Sequence, residues 1–506
     1  MIETARTPER TPARGEGADV MIRLTGEVST KGRRTRARFQ RILARNLEDA
    51  CRSEGVTGTV RDRWSRIYLH APGLPLGTLR RVFGISSFSS VDAVCGATLE
   101  EIVTTGSAVY GDAVRGRRYA VRARRSGTHS FSSSDVMTSL GSALNADARV
   151  DLTDPEIEVW VEVRGDRASF HLGKMTAAGG LPLGAEGCAA ALISGGFDSA
   201  VAAWMMLRRG VALEYVFCNL GGEAYKRMVA EVAKLLADRW SYGTRPVLHV
   251  VDFEPVVADL KRAARPSFHQ IVLKRQMYRA ANLVAASIGA DAVVTGESVG
   301  QVSSQTLPNL RAIDRGSDLP VLRPLVGMDK EDIIRRARQI GTYALSARVR
   351  EYCSLGTGRP ATAAAPEAIL EEDSRLDLSV LDACFAARER IDLRGLALSE
   401  LASDAVFTSR IPVEAVVVDI REGSEFRRWH WPGAVHRDAE DLARECLSLD
   451  PDVPYVLYCA HGLQSARIAE RMQAAGYESY SLLGGVAAAR RLAEETLGRG
   501  QGESRQ

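Results

Sequence analysis

Residues 191–199 read ALISGGFDS: an apolar run ends in Ser194-Gly195-Gly196, and one carboxylate, Asp198, follows two positions later, just before Ser199. Glycines between a buried-looking strand and a helix (SAVAAWMMLRRG) leave backbone N–H groups unobstructed by Cβ atoms, at the positive end of the helix dipole. That combination suits the wrapping of a phosphate chain. The stretch lacks the GK[ST] ending of a Walker loop and the GxGxxG spacing of a dinucleotide turn. SGG alone would be an ordinary strand-turn-helix; the weight comes from the strand before it, the acid after it and the parallel-sheet pattern around it.

Two later segments are expected at the same edge. VVTGESVGQVSSQT (293–306) follows an apolar strand and is dense in Gly, Ser and Gln, with Gly296 and Gln305 best suited to touch a nucleotide. Lys274, in the helix before that strand, and Lys330, in RPLVGMDKEDI, are expected to neutralise phosphates as point charges, although each alone would fit a surface position equally well. Leu192 and Ile193 end the strand and complete the expected nucleotide-contacting set with Ser194, Gly195, Gly196 and Ser199.

The eight cysteines, at 51, 95, 188, 218, 353, 384, 446 and 459, are scattered, and no two form a CxxC pair. This argues against a zinc ribbon, a disulfide framework and a CxxC-held iron–sulfur cluster, so any working cysteine works as a thiol. Cys188 and Cys218 lie in apolar strands and read as inert packing. No apolar run reaches 18 residues and the start has no apolar h-region, so neither a membrane span nor a secretory signal is visible and a cytoplasmic location is expected.

At 506 residues the chain is too long for one core. The net charge of +3 hides an asymmetry: residues 19–130 hold 20 Lys and Arg against 10 Asp and Glu, and residues 391–499 hold 12 against 17. A basic front suits an anionic polymer, and an acidic rear a different task. On charge alone, a merely solvated basic surface is as good a reading.

The elements fall into blocks. Residues 1–18 read as a disordered leader. Strand ADVMIRLTG, helix FQRILARNLEDACRSEG and strands near TVRDRWSRIYLHA start a small α+β unit over 19–74. Short elements including RYAVRARRSGTHSFSS and EIEVWVEVRG occupy 75–178, and a turn-rich GGLPLGAEG follows. From 188 to 360, buried strands alternate with helices, which implies a doubly wound parallel sheet with its ligand site at the strands' carboxyl ends. Residues 361–400 read as an Ala- and Glu-rich linker, and 401–498 as a last α/β unit.

SGGFDS resembles the PP-loop of the ATP pyrophosphatases, which cleave ATP between its α and β phosphates and pass AMP to an oxygen. The resemblance implies ATP and Mg2+ as cofactors, with Asp198 helping to hold Mg2+ or pyrophosphate and the hydroxyls of Ser194 and Ser199 donating hydrogen bonds. The RARRSGTHSFSS region resembles a THUMP RNA-binding domain, and GEVSTKGRRTRARF resembles the ferredoxin-like domain that accompanies it. DIREGSEFRRWHWPGAVH, YVLYCAHGLQSARIAERM and YSLLGGVAA resemble a rhodanese domain. In that likeness Cys459 heads a loop of backbone amides that stabilises a persulfide, braced by Asp419 and Arg421. CAHGLQS shares only the Cys, Gly and Ser positions with that loop.

Taken in this order, the blocks resemble the tRNA 4-thiouridine synthetase (tRNA sulfurtransferase) family across nearly all of 19–495. The implied fold is multidomain α+β and α/β: ferredoxin-like, THUMP, PP-loop and rhodanese-like. The implied reaction adenylates uridine 8 of tRNA and replaces its C4 oxygen with sulfur from a Cys459 persulfide. Cys353, in REYCSLGTGRP, is the implied partner in a transient disulfide. Lys31, Arg34, Arg122, Arg124 and Arg125, with Arg33, Arg36 and Arg38, would track RNA phosphates. Implied partners are tRNA, a cysteine desulfurase and a sulfur-carrier protein of thiamin synthesis; the oligomeric state stays open, a homodimer included. Two other readings remain: a sulfur-carrier hub for thiazole synthesis without tRNA modification, and a nonenzymatic THUMP-type RNA binder.

Overall fold

Apolar alternation in DVMIRL and IYLH puts one side of each strand against a core, because successive side chains on a strand face opposite ways. The computed structural model describes residues 19–349, 361–362, 364–397, 406–460 and 462–502, in two compact units.

In the first unit, β1 (Asp19–Leu24), β2 (Thr59–Asp62), β3 (Ile67–His70) and β4 (Ile85–Ser90) pair antiparallel in the order β4-β1-β3-β2. Helix Arg33–Ser53 lays Phe39, Leu43, Leu47 and Ala50 on this core, the spacing of one helical face. The helix was expected from Phe39; it begins six residues earlier because nothing between Gly32 and Phe39 breaks it. Arg33, Arg34, Arg36 and Arg38 therefore ride on helix rather than loop.

A second sheet takes β5 (Ala93–Gly96), β6 (Arg118–Ser126), β7 (Arg149–Val150), β8 (Ile157–Arg164) and β9 (Arg167–Leu172) in the order β5-β9-β8-β6-β7. The short β10 (Met175–Thr176) then returns to pair with β4. Because β4 pairs with β1, the first module runs to residue 90 and not to 74. Buried Glu162 on β8 ties the two sheets together, accepting from Arg23 Nη2 at 2.7 Å and Arg66 Nε at 3.1 Å. Burial alone would raise this carboxyl, but the His171 hydrogen bond and both guanidiniums hold it well below the usual carboxylate range.

In the second unit, β11 (Cys188–Leu192), β12 (Ala212–Asn219), β13 (Val247–Asp252), β14 (Ala292–Val294) and β15 (Val321–Leu322) run parallel in the order β15-β14-β11-β12-β13. Strand order reverses at β11, which makes its carboxyl end the switch point where such sheets bind ligands. The sheet is not wholly parallel: β16 (Glu389–Asp392) adds antiparallel to β13. The stretch expected as a linker thus belongs to this domain, as helices Pro366–Ser374 and Leu378–Ala386 followed by an edge strand. Its polar residues mislead because they are paired inside: Asp373 accepts from Arg275, Gln276 and Arg279, with Arg275 only 2% exposed.

The last sheet orders β17 (Phe407–Thr408), β18 (Val416–Asp419), β19 (Val435–His436), β20 (Tyr455–Tyr458) and β21 (Ser479–Leu482) as β17-β21-β20-β18-β19, all parallel. Helix Leu463–Ala474 follows β20, and its Ala466 and Ala469 pack on Ala224 of helix Gly222–Trp240 in the preceding module. The N-cap position of helix Gly222–Trp240 is Gly221, which offers no side-chain cap. Glu470 supplies one, accepting from the N–H of Glu223 at 3.0 Å and from that of Ala224. No helix among the described residues is long and apolar enough to cross a membrane.

Asp373→Ala leaves Arg275 buried and uncompensated, so we expect a loss of about 3–5 kcal/mol in stability, read as a lower urea midpoint.

Candidate active site

The SGGFDS loop is held by its own hydrogen bonds. Ser199 Oγ accepts from the N–H of Ser194 at 3.2 Å and donates to the Gly196 carbonyl at 3.2 Å. Gly195 has φ +78°, a conformation side chains disfavour. A cavity of about 220 Å³ opens beside the loop, at the switch point. Its walls are Leu192, Ile193, Ser194, Asp198 and Ser199, then Val216–Cys218 at the end of β12, then Gln270, Lys274 and Tyr278 of helix His269–Ile288, and Gly296, Glu297, Ser304 and Gln305 after β14. Apolar walls with a few converging polar groups are what a nucleotide needs.

Gly296 sets how close these segments come. A Cβ there would lie 2.6 Å from the N of Ser199 and 2.7 Å from the carbonyl carbon of Asp198, so only glycine lets this segment press on the loop. The next residue, Glu297, is buried and accepts from Lys274 Nζ at 2.7 Å, Arg323 Nε at 3.0 Å and the Tyr278 hydroxyl. Burial alone would raise its carboxyl; Lys274, Tyr278 and Arg323 more than offset that and hold it below its ordinary value. Burial and the Glu297 charge push the Tyr278 phenol up, so it stays protonated and donates.

Asp198, 5% exposed, accepts from Lys330 Nζ at 2.8 and 2.9 Å and from Gln301 Nε2 at 3.0 Å. The two lysines are therefore not the free point charges expected from the sequence. Each is ion-paired: Lys330 to Asp198 on the loop, Lys274 to Glu297 on the cavity wall.

The second constellation follows β20. Cys459 is 4% exposed, and its Sγ accepts from the Gly462 N–H at 3.0 Å and the Ser465 hydroxyl at 3.5 Å. Gly485 approaches so closely that a Cβ would lie 2.5 Å from the Cys459 carbonyl oxygen. Asp419 and Arg421 form a buried bidentate pair, and Arg421 also donates to the Trp429 carbonyl at 2.6 Å. They fix the end of β18 beside β20 rather than touching the sulfur. Burial pushes the Cys218 thiol up, in keeping with inert packing, although Cys218 lines the cavity beside the glycine loop. Cys353 lies outside the described residues.

Four family descriptions match the chain in succession: ThiI ferredoxin-like domain (19–89), THUMP domain (96–172), thiamine biosynthesis protein (ThiI) (184–378) and rhodanese-like domain (406–491). A tRNA sulfurtransferase of Pyrobaculum aerophilum is 38% identical over 472 residues, 92% of this chain and 96% of that one. The chain belongs to the tRNA sulfurtransferase family. A second member, from Thermoplasma acidophilum, is 35% identical over 91% of this chain and 94% of its own length. A solved structure described as a 4-thiouridine synthetase–RNA complex with bound ATP aligns with TM-score 0.66 and 28% identity, covering 74% of this chain and 99% of that one.

Within this family member, the residues expected to follow RNA sit on two elements of the first unit. Lys31 and Arg34 are exposed at the start of helix Arg33–Ser53. Arg122, Arg124 and Arg125 lie on β6, where Arg122 pairs with Glu158, Arg124 sits over Trp160 and Arg125 bonds the Gly127 carbonyl. Glu297, Tyr278, Arg323 and Gln301 escaped sequence reasoning. The one available signal was the acid directly after Gly296.

Gly296→Ala forces backbone against backbone. We expect a cost of about 1–3 kcal/mol in stability and a smaller ATP-induced rise in melting temperature than in the unmodified protein, measured by thermal shift.

Proposed function

We propose that the chain is an ATP-dependent tRNA sulfurtransferase that adenylates the C4 oxygen of uridine 8 and exchanges it for sulfur, giving 4-thiouridine. The observation that carries this is one chain holding both a nucleotide-sized cavity at a glycine phosphate loop and a thiol held by a backbone N–H ahead of a helix. A carbonyl oxygen is a poor leaving group; as an AMP ester it leaves readily.

ATP enters as a substrate of the cavity. Leu192 and Ile193 flank the base, Gln305 offers a buried Oε1 with no partner among the described residues, and the loop amides with Ser194 and Ser199 take phosphate oxygens. Lys274 and Lys330 supply charge, and each must exchange its carboxylate for phosphate when ATP arrives. Asp198 fits Mg2+, which commonly takes one or two protein carboxylates plus substrate phosphates, and the ion when bound would offset the charge of the departing pyrophosphate.

Sulfur transfer uses Cys459. A cysteine desulfurase loads its thiol as a persulfide; the terminal sulfur attacks C4 and AMP departs. The Cys353 thiolate then attacks Cys459 Sγ, which forms a disulfide and leaves the terminal sulfur on the base. Two electrons from an external thiol reopen that disulfide. The tRNA meets the basic residues of the first unit, where Lys31, Arg34, Arg122, Arg124 and Arg125 position phosphates and tRNA shape sets specificity. The thiamine-biosynthesis description supports a second use of the persulfide, delivery to a sulfur-carrier protein for thiazole synthesis.

The test is mass spectrometry of tRNA nucleosides from cells that depend on this chain. We expect 4-thiouridine to vanish with Asp198→Ala, Cys459→Ser and Cys353→Ser, and thiamin auxotrophy to follow the Cys459 change but not the Asp198 change. Persistence of 4-thiouridine in the first two variants would sink the reading.

A further inference from the structure

Trp64 is the one non-glycine residue with positive φ, +61°, among the described residues. It sits in the turn between β2 and β3, where Arg63 N–H bonds the Arg66 carbonyl at 2.9 Å, and glycine would adopt this conformation without strain. Three groups hold it there. Its N–H donates to Asp62 Oδ1 at 2.8 Å, and its carbonyl accepts from Gln40 Nε2 at 2.9 Å and from the Arg36 guanidinium. All three bonds involve only the backbone of Trp64, so the turn would form equally well with another residue there.

The indole is therefore the unexplained part. It is 44% exposed, with the Arg36 guanidinium 4.4 Å from the ring centroid. Arg36 comes from the same basic helix that presents Arg33, Arg34 and Arg38, and β2 and the turn after it add Arg61 and Arg63. These five flanking arginines are exposed, and none makes an ion pair among the described residues. A large aromatic ring is kept, nearly half exposed, in a strained turn, backed by one cation and carried on a helix and hairpin that present five more.

We propose that Trp64 is a stacking platform for an unpaired nucleobase of the RNA substrate, with the surrounding arginines on the flanking phosphates. Single-stranded nucleic acid is commonly held in this way, by an aromatic face for the base and cations for the backbone. An acidic protein would pair with the arginines but leave the ring exposed. A chain that carries both phosphates and planar rings uses both features. The inference rests on the RNA-modifying reading and adds a residue outside the expected set.

The experiment compares the full chain with its Trp64→Gly and Trp64→Phe variants, by filter binding to an unmodified tRNA transcript and to a blunt RNA duplex without unpaired bases. For Trp64→Gly we expect about tenfold weaker binding or more to the transcript, little change for the duplex, and an unchanged slope of affinity against salt. Its melting temperature should stay level or rise, because glycine relieves the turn, and Trp64→Phe should keep most of the affinity. Equal affinity of Trp64→Gly and the unmodified chain for the transcript would overturn the platform while leaving the RNA reading intact. So would a parallel loss on the duplex or a drop in melting temperature, either of which makes the residue structural. Failure of the unmodified chain to bind the transcript at all would remove the RNA reading and the platform together.

Discussion

Gly296 has no Cβ, and the backbone of Asp198 and Ser199 fills the space where one would be. Two segments nearly a hundred residues apart in sequence meet there, and the chemistry of the central domain follows from that meeting. The contact puts the end of β14 on the phosphate loop at the point where strand order reverses, and it carries Glu297 into the interior. A carboxylate buried there must be neutralised; Lys274 and Arg323 do so, and the neutral Tyr278 hydroxyl donates a further hydrogen bond. Glu297 in turn holds the Lys274 ammonium on the cavity wall, so backbone proximity and cation placement share one cause.

The Cys459 loop meets a related constraint with different atoms. Cys459 is sheltered by its position at the end of a buried strand and receives an N–H from Gly462 and a hydroxyl from Ser465. Here too a glycine permits the geometry, since Gly485 lies against the Cys459 carbonyl. The Asp419–Arg421 pair acts one strand away, fixing the sheet edge from which the loop springs.

Much of this was legible in the residues. SGGFDS announced itself because glycine, strand and acid are all local signals, and the alternation of apolar strands with helices gave the parallel sheet. What stayed hidden depends on contacts across the chain. Glu297 and Asp373 are polar in sequence and buried in space, Gln301 is half-buried, and no local pattern distinguishes a solvated acid from one enclosed by arginines. That is why residues 361–400 read as a linker although they complete a sheet. The pairing of Lys330 with Asp198 was hidden for the same reason, since 132 positions separate them. The early start of the basic helix was a milder miss, because arginine tolerates helix and loop alike.

Glu470 joins two modules that look separable in sequence. Its carboxylate closes the open end of helix Gly222–Trp240, whose N-cap, Gly221, has no side chain to offer. A thermodynamic consequence follows: the last module cannot melt or be excised without exposing donors in its neighbour, so the two lend each other cooperativity. Shuffling this rhodanese-like segment onto another nucleotide-binding scaffold would transplant the thiol but leave behind half of its foundation.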